Sequence, residues 1–201
     1  MDLPLAEIER VANQQAFGKN ILYLKKIELI KKIRQLQPDI ARVEIQKKYP
    51  AELKLNIFKF PIVAELRTNS QEKIFLNENG VRVFEETPPN NLLVLVVAAE
   101  LPLEEPQKVL IAPQHLTEIR EGLLYFEATL NLPVRLVKYL PSAREVHFKT
   151  EQNFAVWLTL SLDLRSQIDK LVQVADKFDF PNQKYHYLDL RPRNKIFFLR
   201  K

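Results

Sequence analysis

Apolar residues at Leu5, Ile8, Val11 and Ala12 recur at the three-and-four spacing of a short helical stripe that ends near Gly18. A second stripe puts Leu29, Ile33 and Leu36 on one side with Ile30 beside them, and lysines at 25, 26, 31 and 32 alternate around it. Pro38 should stop that helix, because its ring disfavours helical geometry in the preceding residue. The period then falls to two: Ala41, Val43 and Ile45 alternate with Arg42 and Glu44, and Leu53, Leu55 and Ile57 alternate with Lys54 and Asn56 across a Tyr49-Pro50 break. Residues 1–60 therefore read helix, helix, strand, strand. A lone hairpin is marginal without another strand or strong helix cover, so a further strand is expected ahead of this segment.

From Pro61 the rhythm is of short strands: Ile62–Leu66, Ile74–Leu76 and Val81–Phe84, with a turn at Asn77-Glu78-Asn79-Gly80 where Asn-Gly supplies positive φ. Pro88-Pro89 precedes an apolar strand over Leu92–Ala98. Leu116, Ile119, Leu123, Phe126 and Leu130 mark a helix over 114–131. Strands follow at Arg135–Tyr139, Glu145–Lys149 and Phe154–Leu160, the last with Phe154, Val156, Leu158 and Leu160 on one face. Asp163 caps a helix that buries Leu164, Ile168, Leu171, Val172 and Ala175, and strands at Tyr185–Arg191 and Ile196–Leu199 follow. The pattern is α+β in two unequal parts, 1–60 and 61–201, the second a mixed sheet with two helices.

Composition narrows the chemistry. Among 201 residues there is no cysteine, and the three glycines are too scattered to cradle a phosphate with backbone amides. His115, His147 and His186 fall outside zinc-binding spacings, and none of the four serines sits in a nucleophile elbow. Glu85-Glu86 and Glu104-Glu105 read as solvated loop acids, since neighbours on an extended segment point to opposite sides. Trp157, Phe58, Phe60 and Phe84 lie in strand patterns and read as core. No catalytic residue, cofactor site or metal site is nominated. The longest unbroken apolar run, Leu92 to Ala99, is eight residues, where a helical membrane span needs about 20. The printed chain thus reads as holding neither a span nor a signal peptide.

Charge is regional. Of the net +5, residues 19–59 carry 11 Lys or Arg against four acids, whereas residues 60–201 balance at 18 against 18. Lys25, Lys26, Lys31, Lys32 and Arg34 form a candidate basic patch, either a nucleic-acid or anionic-lipid face or the solvated outside of a helix. Residues 191–201 hold five basic residues, no acid, and the adjacent Phe197 and Phe198, which alternation sends to opposite sides.

Ordered motifs span nearly the whole chain. Gly18-Lys19-Asn20-Ile21-Leu22-Tyr23-Leu24 before a basic helix, then Pro38 with Ile40, Val43 and Ile45, and the turn Lys47-Lys48-Tyr49-Pro50-Ala51-Glu52-Leu53, resemble the POTRA domain of the FtsQ/DivIB family. Phe60-Pro61-Ile62-Val63-Ala64 resembles that family's junction, Phe75-Leu76-Asn77-Glu78-Asn79-Gly80 its hairpin, and Tyr187-Leu188-Asp189-Leu190-Arg191 with Ile196-Phe197-Phe198 its closing strands. The resemblance implies a truncated POTRA domain over 1–60, with its first strand and a membrane helix expected before the chain, and a β domain over 61–201.

The resemblance also implies a function. Such proteins are non-enzymatic scaffolds of the bacterial divisome, held in the cell membrane by a single span with this region extracytoplasmic at the septum. They bind FtsB/FtsL-type partners by edge-strand pairing on the C-terminal strands, where an open edge offers unpaired backbone groups. Carried onto this chain, the partner-binding residues are Tyr187, Arg191, Lys195, Ile196, Phe197 and Phe198, with Arg191 as ion-pair donor to an acidic partner and Asp189 able to orient it. An edge merely guarded by lysine fits the same composition. The competing class is a nucleic-acid or anionic-lipid binding module built on residues 19–59.

Overall fold

The computed structural model describes residues 5–16, 24–37, 39–48, 52–68, 73–83, 88–97, 108–178, 180 and 184–201. The Gly18–Tyr23 motif, the Tyr49-Pro50 turn, Phe84 and both glutamate pairs lie outside the described residues. Buried apolar side chains form two clusters, one drawn from residues 8–57 and the other from residues 63–196.

The first cluster is built by helices α1 (Leu5–Ala16) and α2 (Lys26–Leu36) and strands β1 (Ile40–Lys48) and β2 (Glu52–Lys59). Helix–helix–strand–strand is the order expected from periodicity. Leu29 and Ile33, one turn apart on α2, are almost fully buried, each worth about 1.5–3 kcal/mol of apolar burial. The strands pair antiparallel, with Val43 opposite Ile57 and Ile45 opposite Leu55, so the β1–β2 hairpin presents one apolar face to Ile8, Leu29 and Ile33. Phe58 departs from its core assignment: it is exposed, and the Arg42 guanidinium lies 4.3 Å from its ring centroid.

The second cluster belongs to nine strands and two helices: β3 (Ile62–Arg67), β4 (Lys73–Asn77), β5 (Arg82–Val83), β6 (Leu93–Val97), α3 (Pro113–Leu130), β7 (Val134–Leu140), β8 (Glu145–Thr150), β9 (Ala155–Thr159), α4 (Leu164–Val172), β10 (Tyr185–Asp189) and β11 (Phe197–Arg200). The sheet order is β11-β10-β9-β8-β7-β6-β3-β4-β5, and three of its pairs, β3–β6, β6–β7 and β9–β10, are parallel. The chain is α+β. Two strand–helix–strand crossovers, β6–α3–β7 and β9–α4–β10, step along the sheet in the same direction. Right-handed crossovers then put both helices on one face, and α3 packs on α4. Gly122 permits that approach: a Cβ there would stand 2.8 Å from Leu164 Cδ1.

Leu66, Leu95, Val137, Phe148, Val156, Leu158 and Leu188 are buried with Ile119, Phe126, Ile168 and Leu171 from the helices. Val94, Val96, Lys138, His147 and Trp157 alternate to the opposite face and stay half-buried. Asp163 caps α4 as expected, its Oδ2 accepting from the Ser166 amide at 2.7 Å. In the turn between β4 and β5, Gly80 takes φ +71° and a Cβ would fall 1.7 Å from the Ile111 carbonyl oxygen. Asn79 is not among the residues with positive φ, so Gly80 alone of the Asn-Gly pair supplies the left-handed conformation.

Candidate functional site

The sheet edge begins at β10. Its alternation breaks once: the pairing register with β11 shifts between Tyr185 and Tyr187, so Tyr185 and Leu188 both enter the core while Tyr187 and Asp189 share the opposite face. Leaving β10, the chain is held from below by Lys170 of α4, whose Nζ donates to the carbonyls of Leu190 (2.5 Å) and Pro192 (2.6 Å). Burial holds the Lys170 ammonium below its ordinary pKa, the nearby Asp189 charge opposing. Lys170 is thus a clamp on the turn that delivers β11.

Among the described residues β11 pairs only with β10 and is the outermost strand, and all four of its residues are exposed. Phe198, opposite Leu188, faces the helix side and meets Phe178 and Tyr185 edge-on at 5.5 and 6.0 Å, yet is 46% exposed. Phe197, opposite Asp189, faces the other way at 54% exposure, and Leu199 is similarly open. The two adjacent phenylalanines therefore split between faces as alternation requires. Ile196, expected inside the strand, lies in the turn before it and packs against the larger core.

Between α4 and β11 runs a groove of about 650 Å³ with Val174, Phe178, Ile196 and Phe198 on its apolar walls. Lys177, Arg193, Lys195 and Arg200 also line it, and among the described residues no acidic one does. Its chemistry suits an extended or helical segment that carries apolar and acidic side chains together.

Arg191, expected as an ion-pair donor to an acidic partner, is engaged within the chain. Its Nε and Nη2 donate to the Asp189 carboxylate at 2.8 and 2.6 Å, and its Nη1 donates to Glu145 Oε1 at 2.6 Å. All three nitrogens are engaged within the chain, so Arg191 is a structural tie between β10 and β8, with Asp189 orienting it as expected. Burial works to raise the Asp189 pKa, but the Arg191 hydrogen bonds prevail and hold its carboxyl below the usual range. Those same bonds hold the guanidinium charged, its pKa raised further.

The guanidinium also covers Trp157, 5.0 Å from the ring centroid. Trp157 is not a core residue: it is half-buried in a stack across β8, β9 and β10. Tyr187 lies on one side of it (4.1 Å, 6°) and His147 on the other (5.1 Å, 18°). His147 Nε2 sits 3.1 Å from Glu145 Oε2, and burial pulls its pKa below the ordinary histidine value despite that carboxylate. This part of the site escaped the sequence reading. The signal was present: if Phe154, Val156 and Leu158 face the core, Trp157 must face away.

The basic patch is on α2. Lys25 pairs with Glu28 at 3.0 Å, and Arg34 donates to the Ala41 carbonyl at 2.6 Å. Lys26, Lys31 and Lys32 are exposed and make no ion pair among the described residues. Among the described residues no group of three His, Asp or Glu side chains could hold a metal ion. None of the described helices is long and apolar enough to cross a membrane. No family model matches the chain, and no curated protein matches it.

Proposed function

We propose that this chain is a non-enzymatic scaffold of the bacterial divisome, of FtsQ/DivIB type, that captures an FtsB/FtsL-type partner by adding the partner's strand to β11. The observation that carries the reading is the character of that edge: an outermost strand with Phe197, Phe198 and Leu199 exposed together. Soluble proteins ordinarily blunt such an edge, because its free backbone groups template association. Here three of the four strand residues are apolar, beside a groove whose charged lining among the described residues is cationic. A partner strand would gain ladder hydrogen bonds from β11, with alternate side chains reaching Phe197 and Leu199 on one face and Phe198 and the groove on the other.

Phe197, Phe198, Ile196 and Lys195 remain partner contacts in this proposal, joined by Lys177 and Arg200. Tyr187 supports Leu199, its pairing neighbour, from within the sheet. The ordered motifs support the family, the septal location and a membrane anchor preceding the chain. The test is a photo-crosslinking amino acid at Leu199 in the native host. The expected adduct is a small division protein of FtsB/FtsL type, and Phe198→Ala should remove it while the melting temperature falls by no more than a few degrees. An adduct with a protein outside the divisome, or an adduct indifferent to Phe198→Ala, would overturn the proposal.

A further inference from the structure

On α2, Ile27 is 83% exposed, well above any other large apolar side chain among the described residues. It stands one helical turn from Lys31, with Lys26 and Lys32 roughly 100° and 140° round the helix on its two flanks, and the helix turns Leu29 and Ile33 inward on its opposite side. Lys26, Lys31 and Lys32 are exposed and unpaired with acids among the described residues, and Glu28, the helix's one acid, is taken by Lys25. An apolar side chain held outward among free ammonium groups costs solvation and does nothing for the hydrophobic cluster beneath.

We propose that the outward face of α2 docks on an anionic phospholipid surface, with the Ile27 side chain entering the headgroup boundary and Lys26, Lys31 and Lys32 contacting lipid phosphates. Charge complementarity selects an anionic surface, and Ile27 selects lipid over nucleic acid: a phosphate backbone rewards the lysines but gains nothing from an aliphatic side chain. Lysines of this kind snorkel, their stems lying along the apolar zone while the ammonium stays at phosphate depth. The inference does not depend on the edge reading, since it uses no residue of the larger sheet.

The experiment is vesicle co-sedimentation of the full chain at about 0.15 M salt, where screening leaves only close contacts effective. Vesicles of phosphatidylcholine alone are compared with vesicles that also carry phosphatidylglycerol. Partitioning should require the phosphatidylglycerol. It should fall about 30-fold in Lys31→Ala/Lys32→Ala, since each surface lysine is worth roughly a fivefold factor. Ile27→Ser should cost about fivefold, consistent with partial burial of one aliphatic side chain. Arg193→Ala/Lys195→Ala, in the other basic segment, should change it less than twofold, and unchanged far-ultraviolet circular dichroism shows that each variant is folded.

Equal partitioning onto both vesicle types would overturn the inference. So would loss through the Arg193/Lys195 pair, with the α2 variants unaffected. Ile27→Ser leaving partitioning unchanged while the chain binds a single-stranded oligonucleotide through the same lysines would reassign the face to nucleic acid.

Discussion

Replacing Arg191 by methionine tests the assignment of this residue as a tie within the sheet. The substitution keeps an aliphatic stem beside Trp157 but removes three charge-assisted hydrogen bonds of 2.8, 2.6 and 2.6 Å. It leaves two carboxylates without their counter-ion, on Asp189 and Glu145 side chains that are 12% and 18% exposed. Truncating one member of a well-buried pair costs about 3–5 kcal/mol. Arg191 itself is 31% exposed, which puts the expected loss at the lower end, about 3 kcal/mol. For a chain of this size that corresponds to roughly 6–12 °C in melting temperature. The sign with pH follows from Asp189, whose folded pKa lies below its ordinary value. Its contribution is complete above the unfolded pKa near 3.9 and is lost as pH falls through the folded pKa. The gap between wild type and Arg191→Met should therefore be widest at neutral pH and narrow below about pH 4. Urea unfolding followed by circular dichroism at several pH values measures it. A loss below about 1 kcal/mol at neutral pH, or a gap that does not change with pH, would refute the assignment and return Arg191 to the partner surface.

Three further outcomes are expected. Gly80→Ala should destabilise by about 3 kcal/mol, combining the left-handed penalty with displacement of the Ile111 carbonyl. Gly80→Asn, which tolerates positive φ but keeps a Cβ, should lose nearly as much in the same melts; near-full recovery by Asn would contradict the close contact. Lys170→Met should speed amide exchange across residues 197–200 by tenfold or more while exchange in β8 and β9 holds, and uniform acceleration would show a global effect instead. His147, its folded pKa lowered by burial, contributes stability that is present above its unfolded pKa of about 6.5 and is lost as pH falls through the folded value. His147→Gln should thus flatten the stability profile on the acid side of pH 6.5, as read by thermal melts; an unchanged profile would show that His147 does not titrate against the fold.

Much of the fold was legible because burial imposes period. Leu29 and Ile33 on α2, and Val156 and Leu158 on β9, announce their elements because one face of each must leave water. Asp163 announced a helix start because its carboxylate satisfies a free amide wherever that helix packs. The site was only partly legible. Phe197 and Phe198 were placed on opposite faces by alternation alone. The tie that Arg191 makes was not legible because it depends on Glu145, 46 residues earlier and brought alongside by β9 lying between β8 and β10. Lys170 belonged to a helix stripe in sequence and to a strand turn in space. Trp157 was misread because aromatic residues in strands are mostly core, although its neighbours' alternation already sent it outward. The cationic groove was only half legible, since the basic stretch after Arg191 supplies one wall while the other comes from the end of α4 and the segment after it.

The order of strands has a consequence for how such a chain is made. β11 follows every other described strand in the chain and sits outermost among them, on β10. Every strand flanked by two others in this sheet, and both helices packed on it, precede β11 in the chain. As the polypeptide emerges, the larger core can close before the apolar edge exists, so that edge is shown only by chains whose interior is already assembled. Exposure of that edge is thereby postponed until the larger core can have formed, and a stalled or half-folded chain does not yet carry the strand on which others could nucleate.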